Sequence, residues 1–230
     1  MYDTLKDCLP TDHAKQVQST FYIDRLMSSS SPGVSVLDLG CGVGKSVDVF
    51  RKYNDTVDWC GLDIEASPEV NARKRDDAAF FSFDGVRIPF DASRFDIVYS
   101  HQVFEHVRRP EELLLEVARV LKPGAAFIGS VSTLEPYHSF SYWNYTPFGW
   151  HTLLTGAGLQ PVEFRPGIDA IALIQRNYDG NPPEAGKWFK KSPLNDDIDR
   201  WAAKNKRSPA QTNMRKLQFC GHLVFHATKP

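Results

Sequence analysis

The chain has 230 residues, 42% of them hydrophobic, with 27 Lys and Arg against 28 Asp and Glu and a formal net charge of -1. That length and composition suit one substantial globular domain, and the balanced charge removes any general attraction to a nucleic-acid backbone or an anionic membrane. No apolar run approaches the roughly 20 residues of a membrane-spanning helix, and the N-terminal MYDTLKDCLPTDHAK lacks the apolar centre of a secretory leader, so a cytoplasmic protein is expected.

The predicted elements begin with a helix around His13 to Met27, within an N-terminal helical region assigned to residues 1–30, followed by a loop, SSSSPG, from Ser28 to Gly33. The near-continuous apolar run Val34, Val36, Leu37 and Leu39 has the pattern of a parallel strand covered on both faces. Val43, Val47 and Phe50 then recur at helical spacing. VDWCGLD (Val57 to Asp63), AAFFSFD (Ala78 to Asp84) and FDIVYS (Phe95 to Ser100) read as three more strands. A helix near Pro110 presents Leu113, Val117, Val120 and Leu121 on one side, and Lys122, Pro123 and Gly124 stop it before a fifth strand, AAFIGSVS.

Thr146 and Pro147 then supply an N-cap with proline at the first helical position, for a helix ending near Gly156 or Gly158. A strand, LQPVEFR, and a helix, IDAIALIQRNY, complete a core of residues 33–178. Residues 179–216 form a polar, mildly basic insertion with prolines at 182, 183, 193 and 209 and one short helix expected near Asp196 to Lys204; it reads as a lid-like excursion. A solvated face explains its lysines and arginines most cheaply, and attraction of an anionic acceptor is the alternative. Residues 217–230 return to strand. The alternation predicts one α/β domain: a Rossmann-like, seven-stranded, mostly parallel sheet with helices on both faces and the last strand antiparallel.

The turn after the first strand is GCGVGK. Its spacing is GxGxG rather than the GxGxxG of a dinucleotide fingerprint, and Leu39 stands where a phosphate-cradling GxxxxGK loop needs glycine. Glycines there let the backbone approach a ligand at the carboxyl edge of the sheet. Asp63 ends the second strand about 20 residues on, the distance at which a carboxylate meets a ribose in nucleotide-binding βαβ units. Cys8, Cys41, Cys60 and Cys220 form no CxxC pair and no disulfide framework, so reduced thiols and no metal site are expected.

With VLDLGCGVG, GLDIE, FFSFDGVRIPF, FDIVYSHQVFEHV and RVLKPGAAFIGSV in this order, the chain resembles a class I S-adenosylmethionine-dependent methyltransferase, of the small-molecule type found in the ubiquinone-biosynthesis-like and type 11 and 23 families. The resemblance implies S-adenosylmethionine as cofactor and S-adenosylhomocysteine as product. It implies a cofactor site of Asp38, Gly40, Cys41, Gly42, Gly44, Asp63, Ile64, Asp84, Gly85, Ser100, His101 and Gln102. Asp63 would take the ribose hydroxyls, Asp84 the adenine amino group and Asp38 the methionyl ammonium, with an Asp-Gly turn as the plainer reading of Asp84 and Gly85.

The segment TLEPYHSFSYWNYTPFGWH follows the fifth strand and should cover the active edge. Tyr137, His138, Tyr142, Trp143 and Tyr145 are the expected acceptor wall, because aromatic faces with a few polar groups suit a ring or sugar. His138 is the first candidate for general base, then His101 and His151; His106 reads as a packing residue. SHQVFEH lacks the Asn/Asp-Pro-Pro-aromatic motif of DNA amino-methylation and the cysteine of cytosine C5 chemistry. The expected activity is O-methylation of a small hydroxylated acceptor such as a sugar, glycan precursor or secondary metabolite. The alternatives are N-methylation of a small metabolite, methylation of RNA or protein, or a non-catalytic cofactor-binding module; oligomeric state is left open.

Overall fold

The computed structural model describes residues 2–28 and 32–230; the loop expected at Ser28 to Gly33 lies partly outside these, at residues 29–31. The strands are β1 (Ser35–Leu39), β2 (Asp58–Ile64), β3 (Ala79–Phe83), β4 (Phe95–His101), β5 (Leu121–Ser132), β6 (Gln160–Pro166) and β7 (His222–Thr228). They form one sheet of order β3-β2-β1-β4-β5-β7-β6. Every pairing is parallel except those of β7, which runs antiparallel to β5 and β6. The helices are α1 (Tyr2–Leu5), α2 (Phe21–Met27), α3 (Ser46–Arg51), α4 (Pro68–Asn71), α5 (Pro110–Val120), α6 (Pro147–Gly156), α7 (Ala170–Tyr178), α8 (Pro193–Lys204) and α9 (Pro209–Leu217).

All five residues of β1 are buried, as a central strand covered on both faces requires. The period of two sorts its neighbours into two cores. Leu37, Leu39, Val98, Phe127 and Phe225 face a cluster that includes Leu113 and Val117 of α5 and Trp150 of α6. Val36, Ile97, Tyr99, Ile128 and Val224 face the opposite cluster, with Ile23 of α2 and Val47 and Phe50 of α3. By the same alternation Asp38, Asp63, His101, Ser130, Ser132 and His222 share this second face, at the ends of their strands. The strand order reverses between β1 and β4, which is where open α/β sheets bind ligands.

Four expectations change. The helix α5 ends at Val120, and Leu121, Lys122, Pro123 and Gly124 already belong to β5. Residues 13–18 form no helix, and only Phe21–Met27 is α-helical in that region. The polar groups there are claimed one by one by distant partners: Val17 N donates to Pro166 O at 3.0 Å, and Gln16 Oε1 accepts from Ser192 and Asn195. The insertion holds α8 and α9 and a 3-10 segment, Pro183–Phe189, rather than one short helix. Pro209 and a capping box between Ser208 and Gln211 start α9. It runs to Leu217, so the final strand begins at His222 rather than at residue 217.

Part of the insertion's positive charge is engaged within the fold, while Lys187, Lys190, Lys204 and Lys206 are exposed. The buried Lys216 amine donates to Ala14 O and pairs with Asp199, each at 2.7 Å, Arg207 and Arg215 lie over the Trp201 ring, and Arg200 pairs with Asp197. An attraction for anionic acceptors draws little support from these side chains.

Candidate active site

The glycine turn folds back onto β2. Gly40 has φ +76° and donates to Leu62 O at 2.7 Å. A Cβ at Gly40 would lie 2.2 Å from Val103 Cγ2, so both conformation and space demand glycine. Gly42 N donates to Asp63 Oδ2 at 2.7 Å, and Ile64 N donates to Asp63 Oδ1 at 2.8 Å. The strand-end acid and the turn thus form one rigid unit. Arg73 clamps the turn from outside through two bonds to Gly42 O, 2.8 and 2.7 Å, while lying 4.0 Å from the Phe80 ring centroid.

Asp38 is buried and accepts from Ser46 Oγ, which in turn accepts from Trp59 Nε1 at 3.0 Å. Burial, with Asp63 adding repulsion, pushes the Asp38 carboxyl up to about 7 against the opposing pull of Ser46. The Cys41 thiol is pushed up by burial, so it is protonated and borders the turn as an apolar group. Asp84 is exposed, and its Oδ1 accepts from Val86 N (2.9 Å) and Arg87 N (2.7 Å), bonds that hold the carboxyl below the usual range. Gly85 follows with φ +84°. The turn reading of this pair is therefore present in the structure, and both bonds fall on one oxygen. Ile64 presents an exposed apolar side chain beside Gly85.

S-adenosylmethionine fits these residues. Asp63 keeps acceptor capacity beyond its two backbone donors, and Ile64 beside it offers an exposed apolar face. Asp38 is a carboxyl whose burial calls for a cation or donors, and the methionyl ammonium is both. Ser100 differs from expectation: its side chain alternates to the opposite face, where the buried Oγ has no partner, so only its backbone can border the ligand.

Beyond the turn lies a polar cluster. His101 Nδ1 is 2.7 Å from Ser130 Oγ, and the Gln102 amide is 3.0 Å from that oxygen. Ser132 Oγ contacts Glu105 Oε1 at 3.0 Å and makes a shorter contact with Glu135 Oε2. His222 Nε2 lies 3.3 Å from Glu135 Oε2, and His138 Nδ1 lies 3.9 Å from Glu135 Oε1. Glu105 is fully buried, and burial pushes it up to about 7. Burial acts on Glu135 in the same sense, but the hydrogen bond and charge of His222, helped by Ser132 and His138, hold it below the usual range. His101 is the exposed last residue of β4; desolvation by the protein around its ring, with His222, pushes the ring down to about 4.

The aromatic loop divides. A cavity of about 100 Å³ is lined by Ser132, Glu135, His138, Tyr142 and Trp143 among others. Trp143 Nε1 donates to Val107 O at 2.9 Å, leaving the ring half exposed, and Tyr137 is 91% exposed. Tyr145 is buried against Trp150 and donates its hydroxyl to Phe104 O at 2.8 Å; it has no face left for an acceptor. His138 packs edge-on to His106, ring centroids 5.1 Å apart. His151 packs against Phe164, away from the cluster. A wider hollow of about 720 Å³ between residues 86–91 and α5 touches neither the glycine turn nor His101.

In the sequence Glu105 stands out only as a residue four from His101, a spacing set aside as a metal pair for want of further ligands, and Glu135 does not stand out. They are 30 residues apart, and the parallel pairing of His101 with Ser130, with Tyr142 N and Trp143 N donating to Glu105 O, brings their segments together. Among the described residues no group of three or more His, Cys, Asp or Glu side chains is placed to hold a metal ion.

Residues 37–129 match the family described as methyltransferase domain. Sterol 24-C-methyltransferase ERG6B of Gibberella zeae is 34% identical over 103 residues, 42% of this chain and 27% of that one. Fatty-acid O-methyltransferase of Mycolicibacterium smegmatis is 27% identical over 173 residues, 74% and 60% of the two chains. The chain thus spans less than two thirds of either relative. Haemonchus contortus phosphoethanolamine N-methyltransferase 2, solved with S-adenosyl-L-methionine, shares the fold at TM-score 0.59 and 16% identity, covering 92% of this chain and 52% of that one. The matched segment, which reaches from β1 into β5, is a methyltransferase domain, and its fold and motif order are those of the class I S-adenosylmethionine-dependent methyltransferases.

Proposed function

We propose that the protein transfers a methyl group from S-adenosylmethionine to an oxygen of a small hydroxylated acceptor with a ring or other apolar body, and that His101 takes the acceptor's proton. The observation that carries this reading is the position of His101 at the end of β4, its Nδ1 2.7 Å from Ser130 Oγ, on the sheet face shared by Asp38 and Asp63. When bound, the cofactor supplies a sulfonium methyl with a neutral leaving group. Asp63 would hold the ribose, Asp38 the ammonium, and Asp84 with Ile64 the adenine end. Tyr142 and Trp143, with Tyr137 and Phe140 at the rim, would cover the acceptor and exclude water, leaving its hydroxyl to be aligned and deprotonated.

An oxygen acceptor is supported by the fatty-acid O-methyltransferase, which matches 74% of the chain. The sterol enzyme methylates carbon by its name and the phosphoethanolamine enzyme nitrogen, so the acceptor atom rests on the His101 site. No helix among the described residues is long and apolar enough to cross a membrane. Incubation with methyl-labelled cofactor and separate pools of phenols, glycosides, hydroxylated lipids and amines should place label on oxygen. Label confined to amines would overturn the oxygen assignment, and cofactor binding without transfer to any pool would favour a binding module.

Cofactor affinity should also depend on pH. The ammonium requires ionised Asp38, whose free-state pKa is raised to about 7, with Asp63, Tyr99 and Cys41 as its titratable neighbours. Protons therefore compete with the cofactor below pH 7, and the dissociation constant should rise about tenfold per pH unit there. Calorimetry from pH 5.5 to 8.5 measures this. Asp38→Asn should flatten the profile at weaker affinity; a flat wild-type profile would contradict the role.

A further inference from the structure

The cluster beyond the glycine turn contains more acceptors than a random arrangement of hydroxyls could satisfy, and counting its protons fixes its direction. The two ends of the Gln102 amide are distinguished by their partners. With its nitrogen toward Ser132 Oγ (2.8 Å), Glu105 Oε1 (2.9 Å) and Glu135 Oε2 (3.2 Å), three acceptors for its two protons, its oxygen accepts from Ser130 Oγ at 3.0 Å. The reverse orientation sets the amide oxygen against the Glu135 carboxylate, which His222 and Ser132 hold ionised. Ser130 has one hydroxyl proton. Once that proton goes to Gln102, the 2.7 Å contact with His101 Nδ1 can be closed only by a proton on the ring nitrogen.

We infer that Glu105 and Glu135, acting through Gln102 and Ser130, are positioning residues that hold His101 with its proton on Nδ1 and its lone pair on Nε2. This rests on the proposed role of His101 and deepens it: the nitrogen free to take a proton is the one turned away from Ser130. A neutral histidine side chain free in water favours the opposite, Nε2-protonated tautomer, so the relay has a definite task. Gln102 itself sits at φ +54°, a costly backbone for a residue with a side chain. That bend ends β4 and returns the amide over β5, where Gln102 N also donates to Ser130 O at 3.0 Å. The groups facing the relay are His222 from β7, His138 and Glu135 from the loop, and Glu105 and His106 from the turn after β4. Of these, His222 and His138 flank Glu135 and keep it an acceptor, while the buried Glu105 supplies the second oxygen to the amide.

The same relay serves a developing positive charge. When Nε2 accepts a proton, the Nδ1 hydrogen already points along a chain of hydrogen bonds that ends on carboxyl oxygens, and no reorganisation is needed. Such a ring is ready to act in one orientation only, which is what a positioned general base requires.

The test does not need the acceptor. Protein with 15N-labelled histidine is examined near pH 7.5 by long-range 1H–15N correlation, with His101→Asn identifying the resonances by their loss. The expected wild-type result is a pyrrole-type Nδ1 and a pyridine-type Nε2 at His101. In Glu135→Gln a carboxamide replaces one acceptor facing Gln102, the amide loses its bias, and the signature should move wholly or partly to the Nε2-protonated tautomer. Gln102→Met, which keeps length and removes the amide, should do the same and serves if Glu135→Gln fails to fold. An Nε2-protonated ring in the wild type, or an unchanged signature in the variants, overturns the relay. Calorimetric titration of the same samples with S-adenosylmethionine tests the methyltransferase reading separately: loss of binding in wild type refutes that reading, whereas normal binding with the wrong tautomer refutes the relay alone.

Discussion

Asp63→Ala is expected to weaken S-adenosylmethionine binding by about 100-fold or more while the sheet remains folded. A carboxylate that accepts both hydroxyls of a ribose makes two charge-assisted bonds, each worth roughly 1.5 to 3 kcal/mol, and every 1.4 kcal/mol is about a factor of ten in affinity. The structure adds a second loss. Asp63 Oδ2 is the acceptor for Gly42 N, so the alanine also leaves the glycine turn without its tie to β2. Asp63→Asn keeps one acceptor oxygen and should fall between wild type and alanine. Calorimetric dissociation constants for the three proteins decide the matter, and equal affinities would remove Asp63 from the cofactor site.

His101→Ala is expected to lower turnover by about 100-fold with a much smaller change in cofactor affinity than Asp63→Ala. General bases typically contribute about 10² to 10⁴ in rate, with the largest effects when the base's pKa lies near the working pH. His101 is pushed down to about 4, which places it at the lower end of that range but keeps the ring neutral throughout the physiological window. The pH profile follows in sign. A base with a lowered pKa loses function only when protonated, so between pH 8 and pH 6 His101 alone causes no fall in rate. Loss there that saturating cofactor removes belongs to cofactor binding through Asp38, and loss that persists at saturation belongs to Glu105, which burial also pushes up to about 7. An alanine variant with wild-type turnover would eliminate His101, and His138, edge-on to His106 and lining the cavity beside Glu135, would be the residue to examine next.

The sheet, the glycine turn and the acids beside it were legible as structure because their signals are local. β1 reads as a buried parallel strand from five consecutive residues, the glycine turn follows at fixed spacing, and Asp63 ends β2 where the period of two places it on the same face as Asp38. The cap and proline at Thr146 and Pro147 located α6 for the same reason: Thr146 Oγ1 accepts from Gly149 N at 3.0 Å, a bond that needs only four residues.

What escaped depends on contacts distant in sequence. Residues 13–18 carry a helix-like pattern, yet Asp12 and His13 meet the buried Arg165, and Gln16 meets Ser192 and Asn195; those bonds hold the backbone out of a helix. Tyr145 belongs to an aromatic-rich segment and reads as acceptor wall, but its hydroxyl is taken by Phe104 O across 41 residues. The Glu105–Glu135 pair is invisible for a sharper reason. Neither residue sits in a motif of acids, and their shared contact with Ser132 exists only because β4 and β5 pair in register, with His101 opposite Ser130.

The most direct measurement is calorimetric titration of the wild-type protein with S-adenosylmethionine and S-adenosylhomocysteine, repeated with NAD and ATP. Saturable one-to-one binding of the two adenosyl sulfur compounds, abolished or greatly weakened by Asp63→Ala, is the expected result. No heat with either compound, or saturable binding of NAD or ATP in their place, would contradict the assignment of this glycine turn and its strand-end acids to a methyl donor.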